Sequence, residues 1–165
     1  MEFINNSLDQ IHYTNFYSYI NSNLDMIDDL KNQYIQLMSE LTKCEDISTD
    51  LFYSNIKQIS SMGTIIIGYK FISNTKTLIE IVGSGTIIIE PKIIRKGMSI
   101  GHIEDIVVKS TYRGKKISQS ILNKLKTIAT DSNCYKVILD CNESVVQVYK
   151  SNGFDVNGYQ MSLYF

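Results

Sequence analysis

The sequence predicts an α/β fold in which a mixed, mostly antiparallel sheet has helices on both faces. Two stretches with helical spacing lie in the first half of the chain, three strand-like stretches follow in succession, and helix and strand patterns then alternate. Strands in direct succession pair antiparallel, whereas a strand–helix–strand unit adds a parallel neighbour. With 165 residues and no linker or internal repeat, we expect a single domain spanning 1–165.

The first part of the chain is predicted to contain an arm, a short strand and two helices. Residues 1–15 are polar and weakly patterned, which indicates a flexible N-terminal arm. Aromatic and β-branched residues favour a strand over Phe16–Ile20. Apolar residues at helical spacing predict one helix over Leu24–Leu41 and a second that opens at Thr49 and ends at Gly63.

Three long strand candidates come next. The stretches Thr64–Ile72, Thr77–Glu90 and Met98–Val108 are rich in β-branched residues. The polar turn Ser73–Lys76 joins the first two, and the basic loop Pro91–Gly97 joins the second to the third.

Helix and strand patterns alternate in the rest of the chain. The turn Tyr112–Lys116 leads into a helix over Ile117–Ile128. The apolar run Lys136–Cys141 indicates a buried strand, Val145–Tyr149 a short helix, and Tyr159–Phe165 a final strand.

Composition and charge limit the classes of function. The formal net charge is -1, which argues against a general nucleic-acid binder because such proteins need a basic face. The three cysteines have no CxxC spacing, so neither a disulfide framework nor a metal site is indicated. The N-terminus lacks a signal-peptide pattern, and the apolar stretches are too short to span a bilayer. We therefore expect a cytoplasmic protein in a reducing compartment.

The segment Gly101–Ser118 carries the clearest chemical signal. It has the pattern of a strand, a polar turn with arginine and glycine, and the start of a helix. Such a turn directs backbone N–H groups at one point beside the positive end of the helix dipole, where a pyrophosphate would fit. An ordinary strand–helix connection has the same pattern, so on spacing alone that interpretation stays open.

This segment resembles the signature region of the GNAT acetyltransferase superfamily, whose turn reads Arg or Gln, two residues, Gly, one residue, then Gly or Ala. The blocks GTIIIEPKII, GHIEDIVV, CYKVILDCNE and VYKSNGF are similar, in the same order, to blocks of the glucosamine-6-phosphate N-acetyltransferase family. The resemblance implies a splayed sheet that holds acetyl-CoA, direct acetyl transfer to glucosamine 6-phosphate in UDP-N-acetylglucosamine biosynthesis, and a homodimer. The acetyl-CoA-binding residues that it implies are Ile106, Val107, Val108, Arg113, Gly114, Lys115, Lys116, Ile117 and Ser118.

The chain departs from the family pattern at four positions. Lys116 and Ser118 stand where glycine and a small residue are usual. A lysine has a Cβ where the backbone normally approaches phosphate, but its ammonium adds charge at the same place. Val145 stands where an Asn often contacts CoA, and Tyr164 where an Arg often holds the sugar phosphate.

The resemblance implies three catalytic side chains. Glu104 would position the amine and help to remove its proton, because a protonated amine has no lone pair for attack. Tyr149 would protonate the departing CoA thiolate, and Asp140 would contact the amino sugar. From the pattern alone, the carboxylates could equally be ion-paired strand residues and Tyr149 a core tyrosine. Neighbours on a strand point to opposite faces, so we expect only one of Glu104 and Asp105 to face the cleft.

A second set of residues is implied to bind the sugar phosphate. A phosphate dianion favours several cationic donors, and arginine offers a planar fork while lysine offers a point charge. A solvated basic loop is the alternative interpretation of these charges. The substrate-binding residues implied by the resemblance are Thr42, Lys92, Arg95, Glu104, Asp105, Tyr135 and Lys136.

Two other functions compete with this one. The same fold could acetylate another amino sugar or small amine, a hypothesis that Tyr164 motivates. A non-catalytic acyl-CoA-binding module is the third hypothesis, motivated by Lys116 and Ser118 in the turn, and the joint presence of the three implied catalytic groups argues against it. We interpret Cys134 and Cys141 as packing residues, since direct transfer needs no nucleophilic cysteine.

Overall fold

In the computed structural model, which describes residues 10–72 and 78–165, five strands form one sheet in the order β1-β2-β3-β4-β5. Strands β1 to β4 pair antiparallel with their neighbours, and β5 lies parallel to β4. The mixed, mostly antiparallel sheet predicted from the sequence is thereby confirmed. The strands are β1 (His12–Asn15), β2 (Gly63–Phe71), β3 (Ile79–Pro91), β4 (Ser99–Val108) and β5 (Cys134–Leu139).

Helices and short turns connect these strands. The helical elements of the described residues are α1 (Phe16–Asn21), α2 (Ile27–Met38), α3 (Thr49–Met62), the single left-handed turn α4 (Ile94–Gly97), α5 (Ile117–Asp131) and α6 (Val146–Lys150). Short 3-10 turns precede α2, α5 and α6 at Leu24–Met26, Ser110–Tyr112 and Glu143–Val145.

A separate core lies on each face of the sheet because strand residues alternate between the faces. Ile65 and Ile67 of β2 pack with α1, α2 and α3, whereas Ile66 between them packs with α5. In the first core, the rings of Phe16 and Tyr34 stack with their centroids 4.8 Å apart. In the second, the fully buried Leu125 and its neighbours on α5 cover the sheet. Helices on both faces, as the sequence predicts, are therefore confirmed.

A β-bulge interrupts the pairing of β3 with β4. Ser84 pairs with Val107, and Thr86 pairs with Glu104. One residue of β3 therefore lies between these pairs, whereas two residues of β4 do. The bulged segment contains Asp105, whose backbone is left-handed with φ 53°. Asp tolerates this conformation better than most residues with a Cβ. A bulge bends its strand and increases the local twist, so β4 changes direction at this point.

Strands β4 and β5 separate just where β4 bends. Their parallel ladder runs from Ser99 to Ile103 on β4 and ends at Leu139 on β5. Beyond that pair, β4 continues to Val108 and keeps only β3 as a neighbour in the sheet. A wedge therefore opens between the second half of β4 and the chain that follows β5.

The predicted strand over Phe16–Ile20 is wrong, because this stretch forms helix α1. The Asn15 side chain accepts a hydrogen bond from the Ser18 backbone N–H at 2.9 Å, which caps the helix. Phe16 and Ile20 are four residues apart and both fully buried, so they share one helical face.

Two further boundaries are corrected. His12–Asn15, predicted as part of the flexible arm, form β1 and pair with β2, because edge pairing with a strand satisfies their backbone groups. The predicted helix over Leu24–Leu41 begins with a 3-10 turn and is α-helical only from Ile27 to Met38. Residues 1–9 of the predicted arm and the predicted turn at 73–76 lie outside the described residues.

The predicted C-terminal strand is also wrong for this protomer. Tyr159–Phe165 adopt no strand, and their large side chains stand in solvent, with Tyr159 100% and Tyr164 90% exposed. The alternating apolar pattern has no sheet face to cover here, so the local propensity alone does not form a strand.

Candidate active site

The wedge between β4 and β5 forms a cavity of about 430 Å³. One wall is the second half of β4, from Glu104 to Val108, and the opposite wall is the chain from Leu139 to Asn142 together with α6. Leu41, which follows α2, and Ser118, at the start of α5, also line it. The lining therefore includes both carboxylates and residues of the turn that precedes α5.

Glu104 and Asp105 both line this cleft. The expectation that only one of them would face it is wrong, because strand alternation fails at the bulge. Asp105 has a left-handed backbone, so its side chain does not point to the face opposite that of Glu104, as it would in a regular strand. A strand defect thus places two carboxylates on one wall.

Desolvation by the cleft walls raises the pKa of Glu104, and the negative charges of Asp105 and Asp140 raise it further, while His102 lowers it. Desolvation also raises the pKa of Asp105. A carboxylate with a raised pKa is a stronger base than an ordinary glutamate. Glu104, whose pKa is raised by both desolvation and neighbouring negative charges, is thus suited to take a proton inside the cleft.

Asp140 and Tyr149 face Glu104 from the opposite wall. Asp140 is exposed, and its Oδ2 accepts a hydrogen bond of 2.9 Å from the Gln160 side chain. Tyr149 is half-buried and packs edge-on against Phe154, with ring centroids 6.1 Å apart. Burial raises the pKa of Tyr149, and the neighbouring Cys141 adds to that increase, so the phenol keeps its proton at neutral pH.

The turn before α5 has the features of an anion site. Gly114 and Lys116 both have left-handed backbones, with φ 78° and 60°. Lys116 is the N-cap of α5 and makes no side-chain capping bond. The first N–H groups of a helix have no intrahelical acceptor, and Ser120 is the first residue of α5 whose N–H reaches back, to the Lys116 carbonyl at 3.0 Å.

Five of the nine predicted cofactor residues line the cleft itself. Ile106, Val107 and Val108 form its β4 wall, and Arg113 and Ser118 lie at the turn. The others surround the turn without lining the cavity: the Ile117 side chain is buried in the core, and the Lys115 ammonium lies 4.8 Å from the Tyr112 ring centroid. Gly114 and Lys116 contribute the left-handed backbone described above.

Only some of the residues predicted to bind the sugar phosphate lie close together in the structure. The Arg95 guanidinium lies 5.6 Å and the Lys136 ammonium 5.9 Å from the Tyr135 ring centroid, so two cations flank one aromatic ring. Lys92 instead forms an ion pair with Glu90, which His102 also contacts at 2.8 Å.

The phosphate candidates are separated from the cleft. Lys136 lies on β5, four residues before Asp140, which follows the end of the strand, and four residues of extended chain span roughly 13 Å. Thr42 is exposed, and its backbone N–H bonds to the Met38 carbonyl. Neither the flanked ring nor Thr42 is among the residues that line the cavity.

Two cleft residues, Glu40 and Cys141, were not predicted from the sequence. Glu40 follows α2, lines the cleft and forms an ion pair with Arg113 at 3.4 Å, and its position in a polar run gives no sequence signal. Cys134 packs against the second core as predicted, but Cys141 is exposed and lines the cleft, because β5 ends before it. Val145, which stands where the family often has a CoA-contacting Asn, lines the cleft as well. The other missed lining residues are apolar or amide side chains, namely Leu41, Ile103, Leu122, Leu139, Asn142 and Val148.

Among residues 10–72 and 78–165, no group of three or more His, Cys, Asp and Glu side chains could hold a metal ion. Over the same part of the chain, no helix has the length and apolar character needed to cross a membrane.

The parted strands and the turn before α5 fit an acetyltransferase fold, and comparison with known proteins agrees. Residues 35–154 match the model of the acetyltransferase (GNAT) family, so the chain belongs to that family. The resemblance noted in the sequence is thereby confirmed.

Within this family, the chain is similar to glucosamine 6-phosphate N-acetyltransferases. Glucosamine 6-phosphate N-acetyltransferase 1 of Dictyostelium discoideum is 35% identical over 84% of this chain and 86% of that protein. The Candida albicans enzyme of the same name is 33% identical over 82% of this chain and 89% of its own. The crystal structure of the Arabidopsis thaliana enzyme superposes with a TM-score of 0.79 and 28% identity, covering 95% of this chain and 99% of that one.

Proposed function

We propose that this acetyltransferase transfers an acetyl group from acetyl-CoA directly to the amine of D-glucosamine 6-phosphate. The observation that carries the proposal is the cleft itself, where a base with a raised pKa and a protonated tyrosine face each other beside an uncapped helix N-terminus. The names of the similar proteins supply the acceptor. The product, an N-acetylated sugar phosphate, would enter UDP-N-acetylglucosamine biosynthesis.

The turn before α5 fits the pyrophosphate of acetyl-CoA. The uncapped N–H groups at the start of α5 and the left-handed Gly114 lie in the same short turn as three cations, Arg113, Lys115 and Lys116. Backbone donors and positive charge together favour an anion. The thioester arm would then extend along the β4 wall toward Glu104.

Glu104 acts on the acceptor amine. Its carboxylate takes a proton from the ammonium, directly or through a water molecule, so that the nitrogen regains its lone pair. The nitrogen attacks the thioester carbonyl, the new C–N bond forms, and the C–S bond breaks. The nitrogen then releases its second proton, which offsets the proton that Tyr149 gives to the thiolate, so the overall reaction releases one proton to solvent. Asp105 and Asp140 add negative charge to the same region, which attracts a cationic acceptor and stabilises it there.

Tyr149 acts on the leaving group. Its hydroxyl stays protonated because its pKa is raised, and it donates that proton to the thiolate sulfur as negative charge develops. A donor aimed at charge that appears only as the bond breaks stabilises the transition state more than the bound substrates. No step in this sequence needs a cysteine nucleophile.

Arg95, Tyr135 and Lys136 are proposed to recognise the 6-phosphate. The two cations that flank the Tyr135 ring present the charge that a dianion requires. Thr42 and Lys92 are proposed as weaker contributors, since Glu90 already neutralises Lys92. Because that ion pair and Tyr164 both reduce the expected phosphate contacts, a second acceptor, another amino sugar or small amine, stays as the alternative function.

Acceptor preference tests the proposal. Wild-type protein should acetylate glucosamine 6-phosphate far better than glucosamine, measured as kcat/KM by release of the CoA thiol. Two lost charge-assisted hydrogen bonds at roughly 1.5–3 kcal/mol each predict a preference on the order of a hundredfold or more. Lys136→Ala should narrow this preference by impairing only the phosphorylated acceptor, whereas the exposed Lys57→Ala on α3 should leave it unchanged.

Three outcomes are informative. Similar kcat/KM for the two acceptors would reject phosphate recognition and favour another amino sugar or amine. Absence of thiol release with every amine, despite CoA binding, would favour a non-catalytic acyl-CoA-binding module. A preserved preference in Lys136→Ala would exclude that lysine from the phosphate site.

We further propose that the chain is one GNAT domain that forms a homodimer in the cytoplasm. The support for dimerisation is the C-terminal segment after Asp155, whose apolar side chains are almost wholly exposed in the isolated protomer, together with the unpaired outer edge of β5 in the sheet order. Apolar patches of this kind are usual at protein–protein interfaces.

A further inference from the structure

Glu40 is a cleft residue that also contacts the turn before α5. It follows the end of α2 and lines the cavity beside Leu41. One carboxylate oxygen accepts a hydrogen bond from the Ser110 backbone N–H at 2.7 Å and lies 3.4 Å from Arg113 Nη2. The other oxygen accepts a longer bond of 3.4 Å from the Ser110 hydroxyl.

The two kinds of contact differ in strength. A charge-assisted bond of 2.7 Å to a backbone N–H is short and strong. It fixes the first residue of the 3-10 turn Ser110–Tyr112, through which β4 enters the anion-binding turn. The Arg113 contact is at the limit of hydrogen bonding, and the arginine side chain is 61% exposed, so this ion pair is easily exchanged for another anion.

Arg113 has a second anchor on the other side. Its Nε donates to the Val108 carbonyl at 3.3 Å, so the guanidinium stays beside the turn when its contact with Glu40 is released. A cofactor pyrophosphate at this turn and the Glu40 carboxylate would therefore draw on the same guanidinium.

We propose that Glu40 is a positioning residue with two opposing effects on acetyl-CoA binding. Through Ser110 it holds the entrance of the anion-binding turn in place, which favours binding. Through its charge it competes with the pyrophosphate for Arg113, which opposes binding. This inference rests on the proposed function, because it needs the cofactor at that turn.

Substitutions separate the two effects. In Glu40→Gln the amide oxygen can still accept from the Ser110 N–H, but the competing charge is gone. CoA should therefore bind roughly two- to fivefold more tightly, the range expected for an exposed ion pair. In Glu40→Ala the turn loses its anchor, and the cost of ordering it falls on the ligand, so CoA should bind about tenfold more weakly.

Calorimetric titration with CoA measures both changes. Glu45→Gln is the matched control, because Glu45 lies on the same loop, pairs with the exposed Lys43 at 2.6 Å and does not line the cleft. Its affinity should equal that of the wild type. The double variant Glu40→Gln with Arg113→Ala should bind CoA no more tightly than Arg113→Ala alone, because the gain acts through the guanidinium.

Each result has a definite meaning. Glu40→Gln with unchanged or weaker CoA binding would overturn the inference, as would a gain that persists without Arg113. Glu40→Ala with affinity equal to that of the Gln variant would show that Ser110 needs no anchor and would also overturn it. If the Ala variant does not fold, the Gln variant and the double variant decide. Wild-type protein that binds no CoA would instead reject the proposed cofactor site.

Discussion

The proposed chemistry depends on single side chains, namely Tyr149 and the cleft carboxylates. Tyr149 is held by α6 and packs against Phe154, while Glu104 and Asp105 extend from the bulged strand opposite. Their pKa values are raised by desolvation in a shared cavity. The protonation states that acetyl transfer needs are thus set by the surroundings of these residues.

Tyr149→Phe should keep the fold and CoA affinity but slow turnover. The hydroxyl is needed only when charge develops on sulfur, so kcat should fall roughly tenfold to a thousandfold, with little change in CoA binding. Steady-state thiol release and CoA titration measure the two quantities. Lys57→Ala, at an exposed position of α3, is the control. Wild-type turnover in Tyr149→Phe would remove the phenol from the mechanism.

Asp105→Asn should move the acid limb of the kcat/KM profile to lower pH. The negative charge of Asp105 raises the pKa of Glu104, and Glu104 must be deprotonated to act as a base. Removing that charge lowers the Glu104 pKa, so the base stays active at lower pH. Asn tolerates the left-handed backbone as Asp does, which leaves the bulge in place. An acid limb at unchanged or higher pH in Asp105→Asn would contradict the assignment of Glu104 as the base.

The path from β4 to α5 shows what a single element contributes. The bulge at Asp105 bends the strand, the 3-10 turn redirects the chain, and two left-handed residues then deliver it to the start of α5. The family pattern has glycine where Lys116 stands. Lys116 adopts the same left-handed conformation that glycine would adopt freely, so this chain keeps the geometry at a cost in strain.

Lys116→Gly should therefore stabilise the fold by about 1 kcal/mol. Urea unfolding measures the free energy. Lys115→Gly is the control, because Lys115 is not among the residues with positive φ and glycine there should destabilise by roughly 0.5–1 kcal/mol through added freedom of the unfolded chain. If both glycine variants lose stability equally, Lys116 carries no strain.

The sequence predicts regular elements well and their interruptions poorly. Helix α5 and the three long strands follow from periodicity, and the observed bounds agree within a few residues. The bulge at Asp105 could not be predicted, because it depends on pairing with Ser84 and Thr86, far away in the chain. The joint exposure of Glu104 and Asp105 to the cleft was missed for the same reason.

The structure of short segments was predicted wrongly for a related reason. Phe16–Ile20 has strand propensity, but its i and i+4 side chains find a buried face as a helix capped by Asn15. Tertiary packing therefore overrides propensity. Glu40 was missed because only the folded chain brings α2 to the turn that begins at Ser110.

At the scale of the whole molecule, the exposed C-terminal segment is the least expected feature. Met161, Leu163 and Phe165 alternate along the chain, and each is at least 78% exposed. An isolated protomer with such a tail would be prone to association. The proposed dimer would cover these side chains.

Replacing Met161, Leu163 and Phe165 together by serine should weaken the dimer. Burial of three large apolar side chains contributes roughly 1.5–3 kcal/mol each, so their loss should shift the dissociation constant by several orders of magnitude. Sedimentation equilibrium at micromolar concentration measures the mass. Replacing the exposed Lys57 by serine controls for general surface effects. A monomeric wild type, or a triple variant that dimerises as strongly as the wild type, would contradict the proposal.

The early end of the β4–β5 ladder has one consequence for how the molecule can be observed. Up to Ile103 the backbone of β4 is paired on both sides, but from Glu104 to Val108 it is paired with β3 alone. Amide protons that face the wedge should exchange with deuterium quickly, while those bonded to β3 should exchange slowly, in a pattern that changes abruptly within one strand. A ligand seated in the wedge would slow the fast set and leave the others as they are. Within β4, the wedge-facing amides thus report whether a ligand is bound, and the amides bonded to β3 serve as the reference.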